Sequence, residues 1–168
     1  MFWVNIKHPN KMKIYTRQEI EDSRRLMKEN KFRKHHVNLP GIEFNYYELP
    51  QSLNPSLPSF VYRCTGNPED GYVFGIADSV AEPFRPYAVA HEFIEFMELQ
   101  NLETGRCRQA LETELSLVPE EIKSQYVNMR RAFFGDLITY CKSKLEDYTE
   151  KDISEFELSL KRLKELAS

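Results

Sequence analysis

The chain has 168 residues, of which 41% are hydrophobic and 29% are charged, as in an ordinary soluble globular protein. Its net charge of −3 indicates that the protein as a whole is not a nucleic-acid-binding protein. The length predicts a single domain over residues 1–168, and no apolar run is long enough to cross a membrane.

The N-terminal part is predicted to form one helix and a small sheet. Thr16 and Glu19 have the spacing of a capping box, which starts a helix that should run to about Phe32. Three strands are expected next, in the segments LPGIEFNYYELP, FVYRCT and YVFGIADS. Segments rich in proline or in turn-forming residues separate these strands.

The rest of the chain is predicted to be helical. Pro119 suits the start of a helix, and Thr149 should precede a final amphipathic one. Strands grouped before helices indicate an α+β fold: an N-terminal helix, a small three-stranded sheet and a helical C-terminal half. The helices are expected over residues 88–101, 106–117 and 119–145, and from residue 150 onwards.

The helix over residues 88–101 carries an acidic face with no local counter-charge. Four glutamates and no lysine or arginine lie between Pro86 and Gly105. At 100° per residue, His91, Glu95 and Glu98 share one face of this helix. Either that face is solvated or something positive lies against it, and a histidine and a carboxylate at i,i+4 have the spacing of metal ligands.

Glu114, on the next predicted helix, falls inside an apolar stripe that includes Cys107 and Leu111. Burying an unpaired carboxylate is costly, so Glu114 needs a partner. The candidates are a metal ion, a shared proton, or a salt bridge to a cation such as Arg130 or Arg131.

The segment AVAHEFIEF, residues 88–96, resembles the active-site helix of the zincin metallopeptidases, whose signature is H-E-x-x-H. His91 and Glu92 match the first two positions, whereas Glu95 stands where the family has its second histidine. In the gluzincin branch a third ligand, a glutamate, comes from the following helix, and Glu114, 23 residues after His91, matches it. The resemblance covers about residues 16–118 and leaves 119–168 as additional C-terminal helices.

The resemblance implies a metal-dependent peptidase or related hydrolase. His91, Glu95 and Glu114 would hold the metal, which is zinc in the family; two carboxylates and one imidazole suit manganese or iron relatively better. Glu92 would act as general base towards a water molecule. The candidate donors to the oxyanion are Tyr126, Arg130 and Tyr140.

The resemblance also implies where a peptide or protein substrate would lie. The strand in YVFGIADS would be the edge strand above the cleft. Its backbone around Gly75–Asp78 could then pair with an extended peptide.

Two other functions remain open. Because Glu95 replaces a histidine, the chain could be a catalytically inactive zincin-like protein used for binding or regulation. Residues 24–36 hold six lysines or arginines and one glutamate, so a third reading is a basic surface that contacts nucleic acid or another partner. The same run could be the solvated basic end of the first helix.

The spacing of the cysteines indicates the cellular compartment in which the protein is expected. Cys64, Cys107 and Cys141 are far apart and lack the C-x-x-C spacing, which is typical of reduced thiols that fill a core as small hydrophobic side chains. The opening residues, MFWVNIKHPNK, carry an apolar patch too short for a signal peptide. We therefore expect a cytoplasmic protein.

Overall fold

The first helix, α1 (Arg17–Glu29), begins at the predicted capping box in the computed structural model, which describes residues 13–167. The Thr16 hydroxyl accepts a hydrogen bond from the Glu19 N–H at 3.2 Å, and the Glu19 carboxylate accepts one from the Thr16 N–H at 2.8 Å. Ile20 and Met27 on this helix are buried. The helix ends before Phe32, and the opening segment over residues 1–11 lies outside the described residues.

The sheet has four strands where the sequence predicted three. The strands are β1 (Lys34–Leu39), β2 (Ile42–Leu49), β3 (Val61–Thr65) and β4 (Tyr72–Ala77). In the order β1-β2-β4-β3, the central pair β2 and β4 is parallel, and both outer pairs are antiparallel. The α+β class is confirmed, since one helix and a sheet precede a helical C-terminal half.

The additional strand, β1, begins at Lys34, inside the basic run over residues 24–36, for which the end of the first helix was one of two interpretations. Only Val37 is buried in β1, so the strand lacks the alternating apolar residues by which a strand is recognised. Its two histidines face acceptors on β2: His35 Nε2 lies 3.0 Å from Glu48, and His36 Nδ1 lies 2.9 Å from Asn45 Oδ1. The basic run is therefore divided between α1 and an edge strand.

The expected edge strand is in fact an interior strand. In β4, Gly75 is paired with Tyr47 of β2 on one side and with Tyr62 of β3 on the other. The prediction that Gly75–Asp78 offers its backbone to an extended peptide is therefore wrong for β4, because both edges of this strand are used. The outer strands of the sheet are β1 and β3.

Helices cover both faces of the sheet. α1 packs on one face, and α2 (Arg85–Phe93) packs on the other against Phe44 and Phe74. A second core lies among α3 (Arg106–Leu117), α4 (Glu120–Lys142) and α5 (Glu150–Ala167).

No helix of the described residues combines the length and apolar character needed to cross a bilayer. The predicted amphipathic character of α5 is confirmed: Ile153, Phe156 and Leu163 are buried, and Leu160 packs against the same core.

Candidate functional site

Arg85 fixes the start of α2 relative to the sheet. Its Nε donates to the Val80 carbonyl at 2.7 Å and its Nη2 to the Asp78 carbonyl at 3.0 Å, while Nη1 lies 3.3 Å from Glu48 Oε2. These contacts tie the connection after β4 to both the sheet and the helix. They hold the following turn of α2, which carries His91, in a defined position.

The helix changes its winding directly after this turn. Residues Ile94–Glu98 form a π-helical turn, in which the Leu99 N–H donates to the Ile94 carbonyl at 2.9 Å, five residues earlier. Glu98, at the end of this turn, is exposed and does not join the other two residues of the predicted acidic face. His91 and Glu95 stay together and are buried, 2% and 1% exposed.

The His91 imidazole lies between two carboxylates and next to a thiol. Its Nδ1 is 2.7 Å from Glu114 Oε2, and its Nε2 is 3.1 Å from Glu95 Oε2. Cys107 Sγ is 3.5 Å from the same Nε2 and 3.3 Å from the hydroxyl of Ser159 on α5. The expected approach of Glu114 to His91 is found, but the two carboxylates lie at opposite nitrogens of the ring.

Glu114 is fully buried, as predicted, and its partner is a cation. Arg130 Nε lies 2.7 Å from Glu114 Oε1 and Nη2 lies 3.3 Å from Oε2, while the Tyr126 hydroxyl donates to Oε1. Burial alone would raise the pKa of Glu114, but Arg130 and His91 hold that pKa below its usual value. Of the partners that the sequence left open, the salt bridge to Arg130 is present.

The buried side chains of His91, Glu95 and Cys107 form a group that could hold a metal ion. One ligand atom from each residue lies within 4.8 Å of the other two. Cys107 was predicted to be a small buried side chain, and it is a buried free thiol, but the sequence did not identify it as a member of the site. Glu114 lies behind the imidazole, outside this group.

The counter-charges that the acidic helix lacks come from other elements. Arg106, at the start of α3, has its Nε 3.9 Å from Glu95 Oε1. The guanidinium groups of Arg106 and of Arg63, on β3, lie over the Phe96 ring, at 4.8 and 3.8 Å from its centre. Burial lowers the pKa of Arg63, and the charge of nearby Glu92 opposes this shift. Glu95 and Glu92 are therefore faced by cations, whereas Glu98 is exposed to solvent.

A cavity of about 100 Å³ borders the group. One part of its wall is apolar and includes Phe60, Phe133 and Phe156. Of the residues proposed from the sequence, Glu92, Arg130 and Tyr140 also line the cavity, whereas Tyr126 is fully buried with its hydroxyl bound to Glu114. The polar part of the wall includes Asn54 and the charged or titratable residues Arg63, His91, Glu92, Glu95, Cys107 and Arg130.

His91 should make the stability of the metal-free protein fall at alkaline pH. Burial alone would lower the pKa of His91, but Cys107 and Glu114 raise it well above 6.5. Because the folded-state pKa exceeds the unfolded one, the stabilisation is complete below pH 6.5 and is lost as the pH rises through the folded-state pKa. Urea unfolding in EDTA between about pH 6 and about pH 9 should show this fall.

The matched variants for this measurement are His91→Gln and His36→Gln. The first should flatten the alkaline fall, because glutamine does not titrate. The second should retain it, because His36 is exposed on β1. An alkaline fall of equal steepness in His91→Gln would assign the effect to another group.

Comparisons of the chain with protein-family models, with curated proteins and with solved structures found no match. The geometry around His91 is therefore the basis for assigning a function.

Proposed function

We propose that the protein is a metal-dependent hydrolase in which His91, Glu95 and Cys107 bind a zinc ion. The observation that carries this proposal is the convergence of these three ligand atoms within 4.8 Å at the wall of a cavity. Catalytic zinc sites use three protein ligands and keep a further position for water or substrate. A thiolate in the ligand set favours zinc over manganese or iron, which suited the set inferred from the sequence.

Glu114 takes an orienting role in this proposal. Histidines that bind metals through one ring nitrogen usually donate the other N–H to a carboxylate, which fixes the ring. Glu114 is placed to accept from Nδ1 of His91, so that Nε2 is directed towards Glu95 and Cys107. Arg130 and Tyr126 in turn hold Glu114.

The residues around the cavity suit hydrolysis of a carbonyl compound. A zinc ion bound there would supply Lewis-acid chemistry, polarising the carbonyl and making water more acidic. Glu92, half-buried in the wall, would accept the proton of the attacking water. Arg130, with Tyr140 as an alternative, would donate to the oxygen that gains charge. A peptide substrate would bind without strand pairing to β4.

Metal content tests this proposal. The purified protein, incubated with zinc and desalted, should retain about one zinc ion per chain, measured by atomic emission. Glu95→Gln should weaken zinc binding by at least about 100-fold, because a ligand is lost. Glu98→Gln, on the next turn but exposed, is the matched control and should retain the metal. A wild-type protein that holds no zinc after incubation would contradict the proposal.

One arrangement favours a second candidate, a hydrolase with a cysteine nucleophile. Cys107 is the second residue of α3, where the backbone N–H groups have no partner within the helix, a position typical of nucleophilic cysteines. Its Sγ lies 3.5 Å from His91 Nε2, and Glu114 orients the ring from Nδ1 at 2.7 Å. Nucleophile, base and orienting acid thus stand in the order of a catalytic triad.

The two candidates respond differently to the same reagents. A thiol enzyme would keep its activity in chelator and in Glu95→Gln, and would lose it on alkylation of Cys107. A zinc enzyme would lose its activity in chelator and in Glu95→Gln. A protein that neither binds zinc nor is alkylated at Cys107 would favour one of the two other candidates, a scaffold for binding or regulation or a basic surface that binds a partner.

A further inference from the structure

Arg130 presents a buried donor that the protein does not use. Nε and Nη2 of Arg130 face Glu114, but Nη1 has no hydrogen-bond partner in residues 13–167. The side chain is only 1% exposed, and it lies in the wall of the cavity. A buried donor without a partner destabilises the fold, so such a group calls for an acceptor from outside the protein.

Packing holds this donor in place. The Arg130 guanidinium lies over the Phe133 and Phe134 rings, at 4.7 and 4.8 Å from their centres. The ion pair with Glu114 fixes the other side of the group. A ligand that accepts from Nη1 would therefore meet a donor that is already oriented, with little further loss of side-chain entropy.

The size of the cavity limits the apolar part of a ligand. Its volume of about 100 Å³ is somewhat smaller than an apolar cavity of about 150 Å³ that binds benzene. Leu57, Phe60 and Leu137 contribute apolar side chains to the wall. Because the cavity is also partly open on one side, one aromatic ring, or one branched aliphatic chain, is the largest apolar group that it admits.

The charges of the wall argue for a neutral ligand. Arg130 is paired with Glu114, and the charge of Arg63 is opposed by that of Glu92. Neither arginine leaves an uncompensated charge for an anion, and a buried charged group without a partner is costly. A neutral oxygen satisfies Nη1 without this cost.

We propose that the cavity binds a neutral amide or ester with one small hydrophobic group, whose carbonyl oxygen accepts a hydrogen bond from Arg130 Nη1. This ligand class would be the substrate class of the hydrolase, so the inference rests on the proposed function for its chemistry. Binding itself requires the cavity and Arg130 and needs no metal, so the two proposals can fail separately.

The test uses the full chain in EDTA with three probes of similar size, followed by titration calorimetry or ligand-observed NMR. Benzamide carries the ring and a neutral carbonyl, toluene lacks the acceptor, and benzoate adds a charge. Benzamide should bind at least about tenfold more tightly than toluene or benzoate, because only it satisfies Nη1 without burying a charge. Equal binding of benzamide and toluene would overturn the inference.

Two variants locate the binding. Leu137→Phe should fill the cavity and abolish benzamide binding, whereas Leu158→Phe, at a position 47% exposed on α5, should leave it unchanged. Arg130→Lys keeps a cation beside Glu114 but lacks Nη1. This variant should bind benzamide no more tightly than it binds toluene. Unchanged benzamide binding in Leu137→Phe would place the ligand outside the cavity and overturn the inference.

Zinc content separates this outcome from that of the proposed function. A protein that retains zinc but does not bind benzamide would overturn the ligand class and leave the zinc site standing. A protein that binds benzamide through Arg130 but takes up no zinc would support the ligand class and contradict the zinc site.

Discussion

Arg130→Met should lower the free energy of unfolding by about 3–5 kcal/mol, which is the usual effect of removing one partner of a buried ion pair. Glu114 is 0% exposed, and without Arg130 its carboxylate would keep only the contacts to His91 and Tyr126. Methionine approximates the length of the arginine stem, so the loss reports the charge more than the packing. Guanidinium unfolding followed by circular dichroism measures the change.

Two further variants separate the charge from other effects. Arg25→Met removes an exposed arginine from α1 and should change the stability by less than about 0.5 kcal/mol. The double variant Arg130→Met/Glu114→Gln should recover much of the loss, because glutamine can still bond to Tyr126 and carries no charge. If the double variant is as unstable as the sum of the single ones, the buried carboxylate is not the cause.

Glu114→Gln should weaken zinc binding by about 10–100-fold, the usual effect of losing a carboxylate that orients a metal-binding histidine. Glu114 contacts Nδ1 of His91, the nitrogen that faces away from Glu95 and Cys107, so the variant would leave the three proposed ligands in place. Competition with a zinc-binding dye, at a temperature where the variant is folded, measures the affinity.

The size of this loss also distinguishes an orienting role of Glu114 from a role as a direct metal ligand. Glu112→Gln is the matched control, since Glu112 lies on the same helix but is exposed and paired with Arg162. It should bind zinc as the wild type does. A loss in Glu114→Gln as large as that in Glu95→Gln would instead support the ligand role that the resemblance implied.

The elements with strong local signals were predictable from the sequence. The capping box of Thr16 and Glu19 placed the start of α1, and the predicted bounds of α3, 106–117, are those of the structure. The burial of Glu114 also followed from periodicity, because the residue interrupts an apolar stripe. In these cases the information lies within one or two helical turns of the residue concerned.

Two elements could not be predicted because their signals are weak or absent. β1 is an edge strand with one buried residue, so its sequence shows no alternation, and its histidines resemble the polar end of a helix. The second is the π-helical turn over Ile94–Glu98: the prediction assumed regular α-helical spacing, and Glu98, which that spacing placed on the site face, is exposed at the end of this turn.

The site residue that the sequence missed is Cys107. It stands seven residues before Glu114, two helical turns away, so both residues were placed on one face of α3. A cysteine on an apolar stripe is normally a small core residue. Cys107 can be recognised as a site residue only because His91 of α2 lies next to its sulfur in the folded protein. Tertiary contact supplied that information, as it did for Arg63 and Arg106.

Because α5 contributes residues to the site around His91, this site can be completed during synthesis only after α5 has been made. Phe156 closes part of the cavity wall, and Ser159 contacts the Cys107 sulfur. A nascent chain that has emerged only as far as α4 would have His91, Glu95 and Glu114 in reach of one another but open to water, where ion pairs are weak. Packing of α5 therefore excludes water from the charged residues around His91.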